Sequence, residues 1–173
     1  MLMALLVFMS LSTMQMNASE TRNDSKTNRV PLRKHEGTEV SEQSKIHFMA
    51  DFGNIPDVQW KSSNNFDEAV FNKNGTKMTA WYDIDEKLVG TTSEVSFANL
   101  PADGKKALKT RYKDYTIGKV IFFDDNEVNE TDMILYNQQF NDADNYFVEL
   151  SKGKSNLIVM INTRGELTFF KQI

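Results

Sequence analysis

MTAWYDIDEKLVG, residues 78–90, decides the fold, because its pattern recurs 79 positions later in the chain. The segment LIVMINTRGELTF, residues 157–169, aligns with it without a gap. Each segment contains an apolar run, a polar turn and the start of a second apolar run. A pattern that recurs at a fixed offset is typical of duplicated units, and apolar runs around a short polar turn are typical of antiparallel hairpins. The sequence therefore predicts one such hairpin in each half of the chain.

The turn of the first hairpin contains three carboxylates that could form a cation site or an acid–base site: Asp83, Asp85 and Glu86. Counted from Asp83, the fifth position of a calcium loop falls on Lys87, where an oxygen ligand is needed. The matching turn of the second half has Asn162 in place of Asp83 and Gly165 in place of Glu86. We therefore interpret the acidic turn as a hairpin connection, with a weak cation site as the alternative.

Each hairpin is the last part of a longer series of predicted helices and strands. Amphipathic helices are predicted at 40–52 and 100–112. Each is followed by four short strands, at 57–61, 66–72, 77–84 and 87–97 in the first half and at 116–123, 145–151, 156–161 and 166–172 in the second. The prediction is an α+β fold of two tandem repeats, residues 41–97 and 100–173. Each repeat is a short helix followed by a four-stranded antiparallel meander, with the helices packed on one face of the sheet. The acidic stretch 124–132 is predicted to be a solvated loop, with loose calcium binding as the alternative.

The N-terminal region is predicted to direct export. Residues 1–18 form an apolar run that ends in small residues near Ala18, as in a secretory signal peptide; a buried N-terminal helix is the alternative. Residues 19–40 contain few large apolar side chains and are predicted to be a flexible leader. Since the chain has no cysteine, it has no lipid attachment through one. We expect a periplasmic or secreted protein with no stable membrane insertion after removal of the signal.

Composition argues against most catalytic classes. The chain has no cysteine and two histidines, His35 and His47, and it has no recognisable nucleophile or phosphate-binding motif. Its net charge is −4, which gives no electrostatic reason to bind nucleic acid. The prediction is a protein that is not an enzyme and needs no cofactor or metal.

The strands of the second half are apolar on both faces. Alternation places Leu157, Val159 and Ile161 on one face of a strand and Ile158 and Met160 on the other. A half-exposed antiparallel sheet has polar residues on its free side, so something is expected to cover the second face. The alternatives are the other repeat, the leader, a second subunit or a foreign partner. The candidate interaction face consists of Trp81, Phe123, Phe147, Met160 and Phe170.

The order of aromatic and turn residues resembles the PepSY-like family of small exported bacterial proteins, typical of Bacteroidetes. The resemblance covers residues 41–173 and rests on Phe52, Val58, Trp60, Phe66, Ala69, Phe71, Asn74-Gly75, Ala80, Tyr82, Asp83, Leu100-Pro101 and Tyr112. Glu86 departs from the pattern, since the family usually has glycine there. The resemblance implies the fold of the β-lactamase-inhibitor protein (BLIP), an exported location and no catalytic residues. Inhibition of a β-lactamase does not follow from the fold.

These observations predict a non-enzymatic, exported module that binds a protein or peptide through an exposed sheet face, in an inhibitor-like manner. The partner is unidentified, and self-association is one form that it could take. The alternative function is a small-ligand or weak calcium-binding periplasmic module.

Overall fold

The structure, a computed structural model, describes residues 32–34 and 39–173. Its two helices are α1 (Glu42–Phe52) and α2 (Ala102–Arg111), and a short 3₁₀ turn, Phe97–Asn99, precedes α2. Its ten strands are β1 (Gln59–Ser62), β2 (Asp67–Lys73), β3 (Thr76–Tyr82), β4 (Leu88–Val95), β5 (Thr116–Asp125), β6 (Met133–Leu135), β7 (Gln138–Phe140), β8 (Asn145–Lys152), β9 (Ser155–Asn162) and β10 (Leu167–Gln172).

Eight of these strands form one antiparallel sheet in the order β1-β2-β3-β4-β5-β8-β9-β10. Strand order follows chain order, and the small hairpin of β6 and β7 lies outside this sheet. The predicted α+β class with a large antiparallel sheet is confirmed, and each predicted strand overlaps one strand of the sheet. The sequence prediction missed β6 and β7, which lie in the connection between β5 and β8. We call that connection, residues 126–144, the insertion.

The helix α1 begins at a side-chain cap. Ser41 Oγ accepts a hydrogen bond from the backbone N–H of Gln43 at 3.1 Å, which satisfies one of the free donors of the first turn. The buried carboxylate of Asp67 in β2 accepts hydrogen bonds from Ser41 N–H and from Ser44 Oγ, both at 2.9 Å. The start of α1 is therefore joined directly to the sheet.

One face of the sheet, which we call the Val148 face, contains two hydrophobic clusters. In the first, Phe48 of α1 lies 5.0 Å from the ring of Phe71, and Tyr82 is fully buried beside them. In the second, Leu108 of α2 packs with Val148 and its neighbours on β5, β9 and β10. Burial of side chains of this size contributes about 1.5–3 kcal/mol each.

The opposite face, which we call the Phe147 face, has its own cluster. It includes residues of the sheet together with two residues of the insertion, and its buried members are Phe66, Val89, Phe123, Met133, Phe140, Phe147, Ile158 and Phe170. Met133 and Phe140 belong to β6 and β7. The insertion therefore covers the second apolar face that alternation predicted.

The acidic stretch 124–132 differs from its prediction as a solvated loop. Asp124 and Asp125 lie within β5, and Asp132 is only 3% exposed. Asp132 accepts a hydrogen bond from the Gln139 side chain at 2.7 Å. The prediction of a solvated loop is wrong for Asp132, because the hairpin of the insertion folds back over the sheet.

Candidate interaction cleft

The five residues of the predicted interaction face belong to one hydrophobic cluster. Phe123 and Phe147 are 0% exposed and Phe170 is 6% exposed, whereas Trp81 and Met160 are partly buried. The structure thus brings the five residues together but removes three of them from the surface. As a correction, Phe123, Phe147 and Phe170 are core residues, because the insertion packs on them.

Phe140 of β7 makes the central contact of this cover. Its ring centroid lies 5.2 Å from that of Phe123, 4.8 Å from that of Phe147 and 6.0 Å from that of Phe170. These edge-to-face arrangements are favourable for aromatic pairs. Phe169, the neighbour of Phe170 on β10, is 59% exposed at the sheet edge, where β10 has a register irregularity just after it.

Polar contacts hold the hairpin of the insertion in place. Gln138 Nε2 donates to the carbonyl oxygen of Phe170 at 2.7 Å, and Lys171 Nζ donates to the carbonyl oxygen of Tyr136. The Tyr136 hydroxyl donates to Glu149 Oε1 at 3.1 Å. Burial, followed by the Glu149 carboxylate, raises the pKa of Tyr136. This tyrosine therefore stays a hydrogen-bond donor at neutral pH.

The insertion covers the first half of the Phe147 face only in part. Lys61, Glu68 and Trp81 are cross-strand neighbours on β1, β2 and β3 and form a row on this face. Between this row and the tip of the hairpin lies an open cleft of about 500 Å³, the Trp81 cleft. This volume is within the range of roughly 300–1,000 Å³ that is typical of ligand sites. Its rim is lined by Ser63, Asn64, Asn65, Leu135, Tyr136 and Asn137.

Trp81 is held in a defined orientation in the cleft. Its indole Nε1 donates a hydrogen bond to Thr92 Oγ1 at 3.0 Å, and its ring lies 6.0 Å from that of Phe66 in an edge-to-face arrangement. The Glu68 side chain is 14% exposed and forms an ion pair with Lys61 at 3.7 Å. The row thus combines an aromatic side chain with a carboxylate in a loose ion pair.

The part of the face that contains this row is mainly polar. We call it the open half-face; it consists of Gln59, Lys61, Glu68, Val70, Asn72, Lys77, Thr79 and Trp81, which share one side of β1–β3 by register. Gln59, Asn72 and Lys77 are exposed. Polar residues on the free side of an antiparallel sheet are the normal pattern. Alternation along β3 places Trp81 on this side together with Lys77 and Thr79.

A short part of the predicted leader contacts the domain beside the cleft. Leu32 packs against the cluster of the Phe147 face, and Arg33 forms an ion pair with Asp85. Asn65, which also lines the Trp81 cleft, donates a hydrogen bond from its side chain to the carbonyl oxygen of Arg33 at 3.0 Å. The predicted signal peptide and most of the predicted leader lie outside the described residues.

The carboxylate of Asp83 has a structural position. It is 6% exposed, and its Oδ2 accepts hydrogen bonds from Asn129 Nδ2 at 3.0 Å and Thr131 Oγ1 at 3.1 Å. Within residues 32–34 and 39–173, no group of three or more His, Cys, Asp or Glu side chains has the arrangement to hold a metal ion. The acidic turn of the first hairpin therefore anchors the insertion.

A second acidic group lies at the end of β5. Burial is the main reason that the pKa of Asp125 is raised to about 6, followed by the nearby carboxylates of Asp142, Glu127 and Asp144. Burial, followed by Asp144, also raises the pKa of Asp124. Burial and the neighbouring carboxylates together make the ionised forms of Asp124 and Asp125 less favourable.

No protein-family model matches the chain, and no curated protein matches it. Solved structures do share its architecture. A BLIP-like protein from Bacteroides fragilis has a TM-score of 0.59 at 17% identity, over 87% of this chain and 92% of the other. The fold is BLIP-like. Because the identity is low, this likeness extends to the fold alone, and membership of the PepSY-like family stays a prediction.

Two further solved structures from the same genus are similar to this chain. A DUF2874 family protein from Bacteroides uniformis has a TM-score of 0.64 at 12% identity, over 78% of this chain and 90% of that one. A candidate periplasmic protein from Bacteroides eggerthii has a TM-score of 0.63 at 14% identity, with the same coverage. In the described part of the present chain, no helix is long and apolar enough to cross a membrane.

Proposed function

We propose that the chain is an exported, non-enzymatic module that binds a protein or peptide through the open half-face. The single observation behind this proposal is the uneven cover of the Phe147 face. The insertion buries Phe123 and Phe147 in the second half, whereas Trp81 lies partly exposed on β3 in the first half.

The composition of the open half-face favours a protein partner. Trp81 supplies a rigid aromatic group, and tryptophan is enriched at the energetic centres of interfaces. Exposed polar residues such as Gln59, Asn72 and Lys77 surround it, which is the usual arrangement of an apolar centre and a polar rim. The names of the similar structures, one BLIP-like and one a candidate periplasmic protein, agree with an exported module and mention no enzyme.

The repeat organisation belongs to the same proposal. The turns after Tyr82 and after Ile161 have matching backbone hydrogen bonds: Glu86 N–H to Asp83 O at 3.0 Å and Gly165 N–H to Asn162 O at 2.9 Å. We infer that the halves are tandem repeats whose helices pack on the Val148 face. The insertion then distinguishes the second repeat and leaves the first one free to bind.

Photo-crosslinking tests the protein-binding proposal. A benzophenone amino acid is placed at Thr79 on the open half-face or, as a control, at the exposed Lys106 on α2. We expect a discrete adduct in the envelope fraction from position 79 that disappears in the Trp81→Ala variant. An adduct of twice the chain mass would identify the partner as a second copy. The same adducts from both positions, or none from either, would overturn the proposal.

The small-ligand alternative also has an observation in its favour. The Trp81 cleft is large enough for a small molecule and has polar side chains on its rim. The calcium form of this alternative lacks such support, because the described carboxylates do not form a metal-binding group. Thermal unfolding with and without added calcium tests that form, since a ligand that binds the native state raises the melting temperature.

A further inference from the structure

The charged groups that line the Trp81 cleft are Lys61 and Glu68, and they form an ion pair with each other at 3.7 Å. Their charges balance, so the cleft has no net charge to attract an anion or a cation. A phosphate, a nucleotide or a polyamine would leave its own charge without a partner in the cleft. The lining therefore favours a neutral ligand.

The rim of the cleft is rich in side-chain amides. Asn64, Asn65 and Asn137 line it from two sides, the first two from the loop after β1 and the third from the tip of the hairpin. A side-chain amide is both donor and acceptor, as is a hydroxyl group. Glu68 adds a carboxylate, which is an acceptor only. In the described part of the chain its one polar partner is Lys61 at the long distance of 3.7 Å. This set of groups is complementary to a ligand with several adjacent hydroxyls.

The floor of the cleft supplies an apolar surface next to these polar groups. Trp81 and Glu68 are direct cross-strand neighbours, which places their β-carbons about 5 Å apart on one face. The hydrogen bond to Thr92 and the contact with Phe66 keep the indole in place without a ligand. A pyranose ring has an apolar face of C–H groups and a polar edge of hydroxyls, and it fits such a pair of surfaces.

An extended peptide fits this floor less well. Peptides that bind a sheet through their backbone add to a free strand edge. The floor lies on β2 and β3, and each of these strands is already paired on both sides. Their backbone N–H and C=O groups are engaged in the ladders, so recognition at the floor depends on side chains.

We propose that the Trp81 cleft binds a neutral oligosaccharide. Trp81 stacks on a sugar ring, Glu68 accepts hydrogen bonds from adjacent hydroxyls, and Asn137 of the hairpin holds the opposite side. This inference goes beyond protein binding at the open half-face and assigns a chemical class to the small-ligand alternative. The insertion then has a second role besides covering the core, because its hairpin forms one wall of the cleft.

Fluorescence titration of the full chain provides the test. The chain has two tryptophans, and Trp60 packs on the other face, against Phe48. The Trp60→Phe variant therefore reports on Trp81 alone. It is titrated with cellotriose, mannotriose and maltotriose as neutral probes and with trigalacturonate as an anionic probe. We expect a saturable change with at least one neutral probe, with a Kd below about 1 mM, and none with the anionic one.

Two variants locate the binding site. Glu68→Gln has nearly the same shape and weakens binding by about tenfold, because it replaces a charge-assisted hydrogen bond by a neutral one. Asn137→Ala weakens it as well, whereas the control Lys106→Ala, at an exposed position on α2 outside the cleft lining, leaves it unchanged. Thermal melting of each variant checks that it is folded.

Amide chemical-shift mapping on the unaltered chain covers the case in which Trp60→Phe fails to fold. Shifts confined to residues of the cleft would support the proposal. No saturable response to any neutral trisaccharide, an equal response to trigalacturonate, or a response only to a neutral peptide such as a Gly-Ser hexamer would overturn it. None of these results affects the crosslinking test at Thr79, so the two proposals fail separately.

Discussion

Asp83 Oδ1 and Asn162 Oδ1 make the same pair of hydrogen bonds in the corresponding turns of the two halves. Asp83 Oδ1 accepts from the backbone N–H of Asp85 at 2.9 Å and of Lys87 at 3.1 Å. The Asn162 oxygen accepts from the second and fourth residues after it, both at 3.0 Å. In each turn, one side-chain oxygen thus accepts hydrogen bonds from two backbone N–H groups, and either an aspartate or an asparagine can supply that oxygen.

The two turns differ in the contacts of the second polar atom of this side chain. Asp83 Oδ2 accepts from Asn129 and Thr131 of the insertion, whereas Asn162 Nδ2 donates to Glu166 on the surface. The first turn therefore needs a carboxylate and the second does not. This difference explains why an acidic residue occurs in only one of the two turns.

Asp83→Asn is expected to lower the free energy of unfolding by about 1–2 kcal/mol. The new side-chain NH₂ group would take the place of Oδ2 and face Asn129 Nδ2, so that two donors would meet and the hydrogen bond would be lost. Asp83→Ala also removes the acceptor of the turn and is expected to cost about 3 kcal/mol. The reciprocal change Asn162→Asp, on the surface, should cost less than about 1 kcal/mol. Urea unfolding measures all three. An Asp83→Asn variant as stable as the parent chain would contradict the anchoring role.

Glu86→Gly is expected to stabilise the protein by about 0.5 kcal/mol. Glu86 has φ 54°, and the corresponding Gly165 has φ 86°. This left-handed conformation costs an L-residue roughly 1–2 kcal/mol. Glycine avoids this strain but loses more conformational entropy on folding, so the net gain is smaller than the strain itself. Gly165→Ala is the matched opposite, since its β-carbon would lie 2.8 Å from the backbone nitrogen of Gly104. We expect thermal unfolding to show an increase for the first variant and a decrease for the second, and a decrease for both would refute this reading of the turn.

Phe140→Ala is expected to lower the free energy of unfolding by about 3–5 kcal/mol, because it leaves a cavity between Phe123, Phe147 and Phe170. The control is Phe169→Ala, because that side chain is 59% exposed and its loss should cost about 0.5 kcal/mol or less. Denaturant unfolding of both variants measures the difference. Equal effects would mean that the insertion does not form part of the core.

The titration of Asp125 is expected to lower the stability of the protein as pH rises toward neutrality. Burial and neighbouring carboxylates raise its pKa from 3.8 to about 6 in the folded state. Between these two values the folded state binds more protons than the unfolded state, so the free energy of unfolding decreases as pH rises through this window and stays lower above it. Because the side chain is partly exposed, solvent screening limits the contribution to about 1 kcal/mol.

Asp125→Asn should remove this contribution, and it should stabilise the chain above pH 6 but have little effect below the window. Glu39→Gln, which removes a carboxylate at an exposed position, is the control for the loss of one negative charge. Urea unfolding over the acidic-to-neutral range measures both. A pH profile of Asp125→Asn that is parallel to that of the parent chain would exclude Asp125 as the cause.

Much of the architecture was predictable because its determinants are local. Alternation of apolar residues identified the eight strands of the sheet, and the Asn74-Gly75 pair marked a tight turn, where both residues have positive φ in the structure. The same alternation places Trp81 and Tyr82, which are successive residues of β3, on opposite faces of the sheet. The hairpin of β6 and β7 was missed, because its strands have only three residues each, too few for a pattern to be visible.

The amino-acid sequence by itself determined the eight strands of the sheet, which of their faces are apolar, and the need for a cover on the Phe147 face. These features follow from side-chain alternation along each strand. Only the tertiary structure decided what the cover is. Phe140 reaches Phe170 across 30 positions of sequence, and no local pattern encodes such a contact. The same contact decides which residues remain available for binding: it buries Phe147 and leaves Trp81 beside an open cleft.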